Sequence, residues 1–172
     1  PEDKVVGEGR RGENPREYAG NTFGVNFCEV EVDIDTGRVK VVKVVAVHES
    51  GRIINPLTAR NQVIGGVNQA LSYALLEERI MDNYTGRMTN PNLHDYKVIT
   101  SRDAPEIDVV FIDMVDPYRN NLGIKGLGEP VRVGFAATLA NAVYNATGVR
   151  ARDLPITPDK ILSAIAAQKE GR

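Results

Sequence analysis

The clearest alternation of polar and apolar residues runs from residue 25 to residue 47. Acidic residues separate the apolar positions before the turn Asp35-Thr36-Gly37, and valines recur at alternate positions after it. A period of two is typical of strands that bury one face. The segment therefore predicts a β-hairpin, whose buried side consists of Cys28, Val30, Val32, Ile34, Val39, Val41, Val45 and Val47.

Two other segments carry apolar residues at the spacing of a helix. The run from Ala59 to Arg79 follows Thr58, a residue that favours a helix start, and it predicts one helix or a broken pair of helices. Gly65 and Gly66 lie inside this run, where each costs about 1 kcal/mol relative to alanine. A terminal helix is predicted after Thr157-Pro158-Asp159, which combines a cap residue, a proline at the first helical position and an acid.

Two further strands are predicted between these helices. Ile107 to Asp113 is rich in β-branched residues and lies between prolines, and Tyr96 to Thr100 is a shorter candidate. Helices and strands thus mix along the chain, and no internal repeat is present. The sequence predicts an α+β fold, in which a mixed sheet containing the hairpin packs against helices.

The first twenty residues differ from the rest of the chain. They are rich in glycine and charge, lack hydrophobic periodicity and begin with Pro1. We interpret residues 1–20 as a flexible start created by a cut inside a longer chain, although a processed start would look the same. Residues 21–168 are then predicted to form one domain, followed by a short tail at residues 169–172.

Composition narrows the possible functions. The 172 residues carry a formal net charge of -2, with 21 Lys and Arg against 23 Asp and Glu. This balance gives no basis for a nucleic-acid groove or for binding an anionic membrane surface, so small molecules are the expected partners. Cys28 is the single cysteine, which excludes an internal disulfide and a cysteine-built metal site. No apolar run approaches the ~20 residues that a membrane span needs.

The segment Gly126-Leu127-Gly128-Glu129-Pro130 carries the most specific chemistry. Two glycines and a proline shape the backbone around one carboxylate, and an alanine-rich helical pattern follows from Phe135. A carboxylate held in this way is a candidate general base, since proton transfer in enzymes needs a positioned acid or base. The alternative is that Glu129 is an ordinary acidic helix start.

Gln62 and the glycine pair that follows it form a second candidate site. An amide beside bare backbone can hydrogen-bond a heterocycle or a phosphate, but close helix packing explains the same glycines equally well. His48 and His94 have no second histidine or cysteine at ligand spacing. No metal site built from protein side chains is therefore expected.

Three blocks occur in a characteristic order along the chain. The first begins with Gly51-Arg52-Ile53-Ile54-Asn55-Pro56 and extends through Gln62 to Glu78, the second runs from Asn92 to Lys97, and the third from Lys125 to Pro130. Together they resemble the molybdenum-binding subunit of the xanthine dehydrogenase and aldehyde oxidase family. That subunit is several times longer, so the resemblance implies that this chain is its C-terminal part, within the second molybdenum-cofactor-binding domain.

The resemblance implies a role for each matching residue. Glu129 matches the active-site base, which takes a proton from a molybdenum-bound hydroxyl, and Lys125 matches a lysine that orders the site. Gln62 and Gly65-Gly66 match the segment that contacts the pterin part of the cofactor, and Asn92 lies in a loop near it.

The resemblance also implies an activity, a cofactor and partners. The activity is oxidative hydroxylation of an aldehyde or an N-heterocycle, and the ending from Ala151 to Lys160, similar to bacterial aldehyde-oxidising members, favours an aldehyde. The cofactor is a molybdenum-pterin, in the cytosine dinucleotide form of bacterial members, while iron-sulfur clusters and FAD are expected on partner subunits or domains. The remainder of the large subunit is a further partner, without which this chain is expected to be inactive.

Two alternatives stay open at this point. Instead of the C-terminal part of a large subunit, the chain could be a separately encoded small subunit that completes a split site, or a cofactor-free assembly module of such a complex. The expected compartment is the cytoplasm, with the periplasm as the alternative for an exported complex.

Overall fold

The computed structural model describes residues 4–9 and 17–170. Its strands are β1 (Phe23–Val32), β2 (Val39–Glu49) and β3 (Glu106–Phe111), and its helices are α1 (Pro56–Leu75), α2 (Pro130–Val133), α3 (Phe135–Thr147) and α4 (Pro158–Glu170). Residues 1–3 and 10–16 of the predicted start, and residues 171–172 of the predicted tail, lie outside the described residues. The proposed domain boundaries therefore stay predictions.

The three strands form one mixed sheet in the order β1-β2-β3. β1 and β2 pair antiparallel as the predicted hairpin, with Val32 opposite Val39, and β3 pairs parallel to β2. A parallel pair needs a long crossover connection, which α1 and the segment after it provide. The predicted α+β class with a mixed sheet is confirmed.

A bulge in β2 changes which residues the hairpin buries. Val42 has no partner on β1, because the register shifts by one residue at this point. An extra residue reverses the alternation of side chains along a strand, so Val41 and Val44 are both buried. The prediction that Val45 and Val47 lie on the buried side was wrong, since both now face away from the helices and are only half-buried.

Two further sequence predictions are corrected outside this bulge. Ile34 is 63% exposed because β1 ends at Val32 and leaves it in the turn. Tyr96–Thr100 does not form a strand. This segment crosses the end of α1 and is held by side chains instead of by a neighbouring strand; for example, the Ile99 N–H donates to the Ser72 hydroxyl at 2.9 Å.

The first helix is single and unbroken. It begins one turn earlier than predicted, because the Asn55 side chain accepts hydrogen bonds from the N–H groups of Leu57 and Thr58 at 3.1 and 3.2 Å. Asn55 is therefore the N-cap, and Thr58 lies inside the first turn. No described helix has the length and apolar character that crossing a membrane would require.

The core lies between the sheet and the helices. Helices α1 and α3 cover the face of the sheet that carries the buried side chains, and α4 contributes Ile161. The alanine-rich pattern from Phe135 forms α3, and Gly134 separates this helix from the short α2. The central buried side chains are Val44, Ala46, Val63, Val67, Leu71, Ile107, Phe135, Leu139 and Val143.

Candidate functional site

A cavity of about 310 Å³ lies between α1 and the segment that enters α2. It brings together residues far apart in the chain, since the Gln62 amide donates to the carbonyl of Gly128, 66 positions away, at 3.4 Å. Four residues predicted from the sequence share this cavity. Its lining is Gln62, Gly65, Gly66, Gln69, Gly128, Glu129, Val131 and Arg132.

The two glycines of α1 have different surroundings. A Cβ added at Gly66 would collide with the side chain of Val131, so this position is a close contact between α1 and α2. A Cβ added at Gly65 would meet nothing within 4 Å, and Gly65 is exposed. The packing explanation therefore applies to Gly66, whereas Gly65 leaves backbone open at the cavity.

Glu129 is the N-cap residue of α2, but its side chain makes no capping hydrogen bond. Its side chain is 77% exposed and accepts from the Arg132 guanidinium at 3.0 Å. Because α2 has only four residues, its dipole gives the carboxylate little support. The carboxylate is thus available at the cavity and is held only by an exposed ion pair. The sequence suggested no partner for Glu129, although the spacing of three residues to Arg132 is one at which helical side chains meet.

Lys125 lies on the other side of this segment, among acidic side chains. Its ammonium group donates to Glu49 at 2.7 Å and lies 3.6 Å from Asp116. The Lys125 side chain is only 11% exposed and that of Glu49 is fully buried. Lys125 lines a separate cavity of about 200 Å³ beside Tyr118, and not the one that contains Glu129. Sequence reasoning missed both Glu49, which lies 76 positions from Lys125, and Asp116, because no local pattern links either residue to Lys125.

Asn92 is not part of either group. Its side-chain oxygen accepts from the backbone N–H groups of His94 and Asp95 at 3.0 and 3.2 Å, and its amide donates to the Asp95 carboxylate. These contacts stabilise a turn. The structure thus gives Asn92 a local role, and its suggested position near a cofactor stays a prediction.

The residues around the larger cavity fit a pterin-type heterocycle. The Gln62 amide makes one long hydrogen bond and is exposed, so it can donate to and accept from a heterocyclic edge. Gly65 allows a planar group to approach the backbone. Among residues 4–9 and 17–170, no group of three histidine, cysteine or acidic side chains has the arrangement of a metal site.

Several known proteins are similar to this chain in both sequence and fold. Residues 6–105, which include the predicted pterin-contacting residues, match the family model of the molybdopterin cofactor-binding domain. The aldehyde oxidoreductase molybdenum-binding subunit PaoC of Escherichia coli strain K12 is 44% identical over 150 residues, which is 87% of this chain and 20% of the relative. The xanthine dehydrogenase molybdenum-binding subunit of Escherichia coli O157:H7 is 42% identical over 139 residues, 81% of this chain and 18% of the relative.

A solved structure of a related enzyme has a similar fold. Quinoline 2-oxidoreductase from Pseudomonas putida 86 superposes with a TM-score of 0.74 at 34% identity, over 80% of this chain and 18% of that chain. The chain spans about a fifth of the length of the curated relatives that it matches. It therefore belongs to the molybdopterin cofactor-binding domain family, among the molybdenum-binding subunits of the xanthine dehydrogenase and aldehyde oxidase type.

Proposed function

We propose that this chain provides the general base and part of the cofactor contact of a molybdenum hydroxylase that oxidises an aldehyde or an N-heterocycle. The observation that carries the proposal is the cavity between α1 and α2, which collects Gln62, Gly65 and Glu129. The two relatives described above, an aldehyde oxidoreductase subunit and a xanthine dehydrogenase subunit, support this class of reaction. The similarity of the chain's ending to aldehyde-oxidising members favours an aldehyde as the substrate.

In this proposal the molybdenum cofactor, when bound, supplies the two-electron oxidation and acts as a Lewis acid. Glu129, in its ionised form, accepts a proton on a carboxylate oxygen during hydroxylation. Its ion pair with Arg132 is exposed, and such pairs contribute only about 0–1 kcal/mol, so the carboxylate leaves this partner at little cost. Gln62 hydrogen-bonds the pterin, and Gly65 gives it access to the backbone of α1.

The remaining parts of the complex are proposed on the same basis. The cofactor is in the cytosine dinucleotide form, and iron-sulfur clusters and FAD reside on partner subunits or domains. Two relatives are named as molybdenum-binding subunits, which supports an assembly with other subunits. The remainder of the large subunit completes the site, and the complex is cytoplasmic, or periplasmic if it is exported.

Replacing Glu129 with glutamine in the complete, assembled enzyme tests the proposal. Because general acid–base catalysis contributes about 10²–10⁴-fold, kcat at saturating substrate should fall by that factor while molybdenum and pterin contents stay at the wild-type level. Glu106→Gln is the matched control, since Glu106 is also an exposed glutamate and lies 3.1 Å from Lys43. Its kcat should not change. A near-wild-type kcat for Glu129→Gln with the cofactor bound would refute the assignment of the base.

A further inference from the structure

We propose that Glu49 is a positioning residue, which fixes Glu129 at the cavity by holding Lys125. This inference rests on the proposed function of Glu129. Glu49 is fully buried at the end of β2, and each of its carboxylate oxygens has one partner. One oxygen accepts from the Gly51 N–H at 2.8 Å, and the other accepts from the Lys125 ammonium at 2.7 Å.

The backbone around this ion pair joins two loops. The Lys125 N–H donates to the Ser50 carbonyl at 2.8 Å, and the Arg52 N–H donates to the Gly123 carbonyl at 2.8 Å. Gly51 and Ile124 form an isolated antiparallel bridge between these bonds. The segment before Glu129 is therefore fastened to the end of β2 by both backbone and side-chain contacts.

The four residues from Lys125 to Gly128 connect these contacts with β2 to Glu129. A Cβ added at Gly126 or Gly128 would meet nothing within 4 Å, so packing does not restrict these two positions. On the far side, Glu129 is held by the contact of α2 with Gly66. Between these ends, Leu127 packs against the core and the Gly128 carbonyl accepts a long hydrogen bond from Gln62. The glycines on either side of Leu127 permit movement, so the position of the carboxylate also depends on the anchor at Lys125.

Loss of the anchor should affect the chemical step more than substrate binding. A displacement of about 1 Å in a reacting group can reduce a rate by about 10²-fold. In the complete enzyme, Glu49→Gln removes the nearer of the two negative charges beside Lys125 and retains the size of the side chain. We expect kcat per bound molybdenum to fall by about 10- to 100-fold, with KM changed by less than about twofold.

Three comparisons separate positioning from a general loss of stability. Lys125→Met should reduce kcat as Glu49→Gln does, and the double variant should be no slower than the slower single variant, because the two residues act as one unit. Glu49→Asp keeps the charge and should recover part of the rate. Lys160→Met is the matched control, since the half-buried Lys160 donates to the Pro155 carbonyl at 2.9 Å, far along the chain from this pair. Its kcat per molybdenum should stay within about twofold of wild type.

Amide hydrogen exchange supplies a readout that does not depend on activity. In Glu49→Gln, exchange should accelerate across residues 123–128, where the Lys125 N–H is bonded to Ser50, and should be unchanged in α4. An unaltered kcat per molybdenum in Glu49→Gln would overturn the proposal, even if the variant is less stable. If that variant does not accumulate, Lys125→Met carries the test, and a wild-type kcat per molybdenum in it has the same consequence. Glu129→Gln, assayed in parallel, identifies the separate case in which the base assignment itself fails.

Discussion

Alanine substitutions at the two adjacent glycines of α1 should have opposite effects. Both positions lie inside the helix, so each alanine gains about 1 kcal/mol of helix propensity. At Gly66 the new methyl group meets Val131, which is 1% exposed and has little room to move. Overpacking of this kind costs about 1–3 kcal/mol. Because the propensity cancels in the comparison, Gly66→Ala should be less stable than Gly65→Ala by about 1–3 kcal/mol.

Amide hydrogen exchange of α1 in the complete subunit measures this difference, because it reports the local opening free energy of the helix. Gly65→Ala should slow exchange and Gly66→Ala should accelerate it. Val131→Ala in the Gly66→Ala background removes the colliding methyl group and leaves the Val131 Cβ at 3.0 Å. The two substitutions should therefore couple favourably by about 0.5–3 kcal/mol. Equal protection in the two single variants, with no coupling to Val131, would refute the packing argument.

The same variants test which glycine faces the cofactor. Gly65→Ala keeps the helix stable but adds a methyl group at the open backbone, so the molybdenum and pterin contents of the purified enzyme should fall. If these contents remain at the wild-type level, Gly65 has no role in cofactor contact.

Three further outcomes follow from burial and capping. Burial raises the pKa of the Cys28 thiol to about 11, so iodoacetamide at pH 8 should alkylate it much more slowly in the folded subunit than in urea, and equal rates would contradict this. Burial lowers the pKa of His48, so as the pH falls the unfolded chain binds a proton on this residue before the folded chain does. The free energy of unfolding is therefore unaffected by His48 above the unfolded pKa of about 6.5 and decreases as the pH falls below it. The thermal transition of His48→Gln should thus depend less on pH than wild type between pH 7 and 5, and an unchanged dependence would exclude His48 as its source. Asn55→Ala should destabilise the start of α1 by about 1 kcal/mol, and Thr58→Ala by less, as measured by amide exchange in the first turns; the reverse order would show that Thr58 is the cap.

Local patterns were sufficient to predict most helices and strands. The alternation before and after Gly37 gave the hairpin, and the proline and acid near residue 158 gave α4, because both signals act over a few residues. The bulge at Val42 was missed, because in a run of valines either set of alternate residues could face the core. Tyr96–Thr100 has strand-forming residues, but it lies against α1, where the Ile99 N–H donates to the Ser72 hydroxyl.

The candidate site was predictable only in part. Gln62, Gly65 and Glu129 were identified through ordered blocks that resemble a known family, and the fold places them on one cavity. Glu49 gave no signal, because a glutamate at the end of an alternating strand is normally solvent-exposed. Its burial depends on Lys125, and only the folded chain shows that the two residues meet.

The ion pair between Glu49 and Lys125 also sets an order of events during synthesis. Its two residues are 76 positions apart, whereas the hairpin closes over a short turn and can form early. At about 5–20 residues per second, a ribosome needs about 4–15 s to add the residues between Glu49 and its partner. Throughout that interval a buried Glu49 would lack its cation, which strongly disfavours closing the end of β2. The segment from Gly123 to Glu129 is thus expected to close against the end of β2 only after Lys125 has emerged from the ribosome.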